Sequence, residues 1–162
     1  ATPGTYESIP LTGAWTTVLA LTGMTGSDAA RSSDTLLSLT FTDGYLDAAT
    51  GVTLLHRNDG EDLATNDPAS GTLRHGRAEC GVFAGTSSDP AALTTQVGAT
   101  GWTSSGAEGV THELVQVAMN ATTGPLTSGM QYNVAVKCRD ADYTGATQWQ
   151  VASGNLTAFI SR

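Results

Sequence analysis

Apolar residues along this chain alternate with polar ones and never line up as a helical stripe. In residues 36–42, Leu37, Leu39 and Phe41 alternate with Ser38, Thr40 and Thr42. Residues 131–138 repeat the pattern as Gln-Tyr-Asn-Val-Ala-Val-Lys-Cys. A period of two buries one side of an extended strand and leaves the other to solvent. Gly, Asp, Asn, Ser and Pro cut these segments apart, as turn residues do.

Read in order, strands are predicted over 14–21, 36–42, 52–57, 72–84, 110–119, 131–139, 149–152 and 156–160. Trp15, Thr17, Leu19 and Leu21 share one side of the first. Asp43-Gly44 is a hairpin signal that tolerates positive φ. Tyr45–Asp47 begins a return strand, and 48–51 reads as a second turn. Ala78, Cys80 and Val82 share a face, and Gly81 among them suggests a bulge or a close approach. Residues 23–33, 58–71 and 98–109 read as loops. Residues 88–93 form the one expected helical turn, with Asp89 as cap and Pro90 at its first position. About eight to ten antiparallel strands make this an all-β chain, a jelly-roll β-sandwich. Residues 1–13, broken by Pro3, Gly4, Pro10 and Gly13, read as an irregular N-terminal arm, and 14–162 as a single domain.

Composition narrows the partners. Charged residues make up 14% of the 162, against about 25% in an ordinary domain. Thr, Gly, Ala and Ser take their place, which suits a surface that another subunit covers. Net charge is −8, from 15 acids and 7 bases, and Lys137 is the single lysine. Such a chain repels phosphate backbones, so no nucleic-acid partner is expected. No segment approaches a membrane span. The apolar run at 18–21 is too short for a signal peptide and lacks basic residues before it. Ala1 is read as following removal of a leader or an initiator Met.

Candidate chemistry is sparse. Asp59, Glu61, Asp62 and Asp67 offer hard oxygen ligands in an acidic loop, the one candidate for calcium. Their spacing is not that of an EF-hand, and a solvated turn is the plainer reading. Asp140 and Asp142 form a weaker acidic pair. His56, His75 and His112 lack zinc-motif spacing. No Gly-x-Ser-x-Gly elbow or phosphate-cradling glycine loop occurs, so no enzyme is expected. Trp102, between Gly101 and Thr103, is a candidate platform for a sugar, or else a plug for one end of the core. Trp149 is assigned to the core or an interface. Asn120 and Asn155 begin glycosylation acceptor patterns that a Thr-rich chain produces by chance. Cys80 and Cys138 either pair or stay as two buried thiols; the thiol reading is preferred.

The C-terminal third carries a resemblance. Ser128-Gly-Met-Gln-Tyr132, then residues 133–138, then Gln150-Val-Ala-Ser-Gly-Asn-Leu-Thr-Ala-Phe-Ile160, resemble the end of trimeric jelly-roll domains. These are the tumour-necrosis-factor and complement-C1q-like group, together with the capsid decoration (cement) proteins and head fibres of tailed phages. The resemblance implies that Tyr132 begins the penultimate strand and that residues 156–159 pack near a trimer axis. It implies a homotrimer bound to the major capsid protein on the exterior of a virion. No catalytic residue or cofactor follows from it. The rival expectation is a carbohydrate-binding β-sandwich, with Trp102 as platform and calcium at Asp59–Asp67.

Overall fold

The computed structural model describes residues 9–20, 39–40, 44–57, 77–104, 112–127, 130–143 and 149–161. They form two antiparallel sheets packed face to face. The strands are β1 (Ile9–Pro10), β2 (Thr16–Ala20), β3 (Leu39–Thr40), β4 (Tyr45–Arg57), β5 (Arg77–Gly85), β6 (Gln96–Ser104), β7 (His112–Thr122), β8 (Gln131–Asp140) and β9 (Trp149–Ser161). The first sheet has the order β1-β9-β4-β7, and the second β2-β8-β5-β6, with β3 also paired to β8. Pairing is nested: β1 with β9, β2 with β8, β4 with β7 and β5 with β6. Two further pairings, β4 with β9 and β5 with β8, join these hairpins into sheets.

The core lies between the sheets. Val52 and Leu54 on β4, Val117 on β7 and Leu156 on β9 meet Val82 on β5 and Val134 and Val136 on β8. Each lies at an alternate strand position, as a one-sided buried face requires. Close approach at one edge depends on Gly101. A Cβ there would stand 2.6 Å from Val117 Cγ1 and 2.7 Å from Met119 Cγ.

Several expectations hold. Gly44 has the expected positive φ, 132°, but the hairpin read there does not form: β3 pairs with β8 and β4 with β7 and β9, so the chain passes from one sheet to the other. The β5–β6 register shifts between Cys80 and Val82, around Gly81. Asp89 caps a 3-10 turn over Pro90–Ala92, its side chain accepting from the Ala91 amide. Others do not hold. The turn read at 48–51 is the middle of β4. Its small residues stay extended because strands on both sides satisfy its backbone: Ala48 pairs with Ala121 and Ala158. The loop read at 98–109 is strand through Ser104, so Trp102 stands on a sheet. The N-terminal residues 9–11 are docked on their own sheet: Leu11 donates to the Trp149 carbonyl at 2.8 Å and is fully buried.

Cys80 and Cys138 are joined in a disulfide, correcting the preferred reading of two thiols. The residues face each other across β5 and β8 with Cα atoms 4.1 Å apart, and both are fully buried. Closing a loop with a sequence separation of 58 contributes about 4 kcal/mol in the chain-entropy model.

The outward face of the second sheet is partly covered by the β5–β6 connection. Leu93 packs there on Phe83 and Ala135, with Trp15 and Ala20 beside them. Lys137 Nζ donates to the carbonyls of Ala91 at 2.8 Å and Leu93 at 2.6 Å, and lies 5.1 Å from the Phe83 ring centroid. Burial holds its pKa below the ordinary lysine value, with Asp89 acting in the opposite direction. Asn133 Nδ2 donates to the Ser87 carbonyl at 2.7 Å. The one lysine of the chain is therefore a clamp on this connection. Lys137→Met keeps the length of the stem and orphans two carbonyls. Urea unfolding of that variant should show a loss of about 2 kcal/mol. An unchanged midpoint would show that the clamp contributes nothing.

Candidate interaction surfaces

Strand parity decides what the first sheet shows to the outside. On β4 the even positions from Leu46 to His56 are buried, and the odd ones from Tyr45 to Leu55 are exposed or half-buried. Their partners on β7 are Leu114, Gln116, Ala118, Asn120 and Thr122. Their partners on β9 include Ser153, Asn155, Thr157 and Phe159. Among these described side chains Asp47 alone is charged, and Thr122 Oγ1 donates to its Oδ1 at 2.6 Å. Leu114, Phe159 and Tyr45 are exposed to 66%, 49% and 43%. The Asn155 side chain accepts from the Gly51 amide at 2.8 Å and so is held against the sheet. Nearly uncharged among its described side chains and bordered by apolar ones, this face has the composition of an interface core.

The second sheet presents the opposite chemistry. Glu79 on β5 faces Arg139 on β8 and Trp102 on β6. Its Oε2 accepts from Arg139 Nε at 2.9 Å and Nη2 at 2.7 Å, and its Oε1 lies 2.8 Å from Arg77 Nη2. Arg77 stands over the Trp102 ring at 5.4 Å from its centroid, and Arg139 over Trp15 at 4.7 Å. The row therefore runs Trp15, Arg139, Glu79, Trp102, with Arg77 folded onto its end.

The three aromatic residues singled out from sequence occupy different environments. Trp102 is exposed to 62%. Tyr132 opens β8 and packs at the edge of the core; its hydroxyl accepts from the Thr127 amide at 3.1 Å, which holds its pKa below the usual phenol value. Trp149 is fully buried opposite His56, their rings 4.6 Å apart. Asp59, Glu61, Asp62 and Asp67 lie outside the described residues, as does His75. Among the described residues no group of three His, Cys, Asp or Glu is placed to hold a metal ion. No described helix is long and apolar enough to cross a membrane.

The low-charge face is hidden in the sequence because the composition of 48–51 is that of a turn. Once β4 is continuous, the odd positions Asp47, Ala49, Gly51, Thr53 and Leu55 display it directly. The Trp–Arg–Glu row has no comparable signal, since it joins four segments through register alone.

Asp140 completes the described titratable groups with a resolved shift. It is buried at the end of β8, and its Oδ1 accepts from the Asp142 amide at 3.0 Å. Burial raises its pKa above the ordinary 3.8; the Asp142 amide works against this and the Asp142 charge adds to it.

No protein-family model matches this sequence, and the curated proteins contain no match to it.

Because the folded-state pKa of Asp140 is raised, its stabilising contribution is complete below 3.8 and is lost as pH rises through the folded value. Asp140→Asn keeps the acceptor for Asp142 without the charge. In urea titrations from acid to neutral pH, the wild type should lose stability relative to this variant as pH rises. Parallel stability profiles would contradict the assignment.

Proposed function

We propose that this protein is a homotrimeric jelly-roll protein that decorates the exterior of a viral capsid, binding the major capsid protein and stabilising the shell. The observation that carries the reading is the outward face of the first sheet, where Asp47 alone is charged among the described side chains. In a chain with 15 acidic residues, a sheet face whose described side chains include one acid is suited to contact with further copies. Nested pairing of first strand with last, and of second with next to last, supports the jelly-roll reading.

Size bears on how much of the contact this face can supply. Eleven residues of β4 between two neighbours give a face of about 35 Å by 14 Å, or about 500 Å². A standard stable interface buries roughly 800 Å² on each partner. One such contact is short of that, so the ring must also draw on surface beyond this face, because each subunit of a cyclic trimer meets its two neighbours through different patches. Three linked copies then bind a shell with avidity that one copy lacks. The role is mechanical and requires no catalytic group. The disulfide suits a particle that persists outside the cell.

The test combines Leu114→Glu with Phe159→Glu. Both side chains are exposed to about half or more, so the fold should survive, as circular dichroism will report. Sedimentation velocity should show the wild type as a trimer and the variant as a monomer. A variant that assembles like the wild type would place the contact elsewhere. Co-sedimentation with purified phage heads then tests the shell partner; wild-type trimer left in the supernatant would overturn that part. Truncations of the arm for this assay should stop before Ile9, because Leu11 belongs to the core.

A further inference from the structure

We propose that the outward face of the second sheet is a binding site for a neutral saccharide, with Trp102 as its stacking surface and Arg77, Glu79 and Arg139 as its hydrogen-bonding rim. The site is separate from the self-association face, because the two lie on opposite outer surfaces of the sandwich.

Three observations lead to this ligand class. The first is the indole. Trp102 is exposed to 62%, the most exposed aromatic among the described residues. Arg77 lies over one face of the ring, and the opposite face is the one offered to the C–H groups of a pyranose.

The second is rigidity. Glu79 sits at 8% exposure between two guanidiniums and contacts both. Arg77 is held by Glu79 and by stacking on Trp102; Arg139 is held by Glu79 and by Trp15. Side chains ordered in advance lose little rotamer freedom when a ligand arrives. Each guanidinium carries five N–H donors in a planar fork. Glu79 engages one nitrogen of Arg77 and two of Arg139. Donors therefore remain for hydroxyl oxygens beside the ring.

The third is charge. Arg77 and Arg139 are balanced by Glu79 and by Asp142, whose Oδ2 accepts from the Arg77 amide at 3.0 Å. The cluster thus has no surplus charge to attract an anion, and the chain as a whole carries −8. An acidic polymer or acidic peptide is repelled at long range. A polyol makes the hydrogen bonds without that cost.

The experiment titrates the intact protein with neutral oligosaccharides of glucose, mannose and galactose, following tryptophan emission and amide shifts by NMR. Poly-L-glutamate serves as the acidic probe. At least one oligosaccharide should give a saturable response near about 1 mM, centred on β5 and β6. Trp102→Ala should weaken it about tenfold or more, with an unchanged melting temperature. Arg77→Ala should weaken it too. No saturable response up to about 50 mM would overturn the proposal. So would equal binding by Trp102→Ala, or a response at Trp102 to poly-L-glutamate in place of the sugars. All of these readouts are independent of whether the protein assembles or meets a capsid.

Discussion

The outward face of the first sheet, on which the self-association reading depends, follows from the double-sided pairing of β4. The strand runs thirteen residues, from Tyr45 to Arg57, and is hydrogen-bonded to β7 on one side and β9 on the other. Because side chains alternate, a one-residue slip against either neighbour would exchange the buried and outward sets. The core forbids that slip: Leu46, Val52 and Leu54 must point in. Their alternates Ala49, Gly51 and Thr53 must then point out, beside equally small neighbours. The obligatory inner face thus decides which residues form the outer one, and of these Asp47 alone is charged among the described side chains.

The second sheet is constrained by different means. Its two central strands are tied by the Cys80–Cys138 bond on the inner side. Their outer side carries Lys137, Arg139 and Glu79 at alternate positions with aromatic partners. Lys137 spends its charge on backbone carbonyls, and Arg139 spends part of its own on Glu79. Among the described side chains the cations Arg77, Lys137 and Arg139 thus lie on the second sheet, while Asp47 alone is charged on the outward face of the first. Two faces of such unlike chemistry are suited to unlike contacts, one with further copies and one with a polyol.

The legible part of the fold is the part set by local alternation. Residues 131–138 and the capped turn at Asp89 and Pro90 follow from their own spacing. Gly81 is informative because a glycine inside a strand marks a bulge, a bend or a close approach, and the β5–β6 register shifts beside it. Tertiary pairing decided the rest. Ala48–Gly51 has the composition of a turn but is held extended from both sides. Trp102 lies among Gly, Thr and Ser, yet β5 draws it into a strand. The pairing of Cys80 with Cys138 needs β8 to lie beside β5, which no spacing within either segment reveals. The contact surfaces suffered most, since each is assembled from strands distant in sequence.

The central claim is that the small-residue face of β4, β7 and β9 is covered by further copies of the same chain. Native mass spectrometry of the wild-type protein at micromolar concentration tests it most directly. The account predicts a dominant species at three times the 16.6 kDa chain mass. A single species at the chain mass itself, persisting as concentration rises, would contradict it.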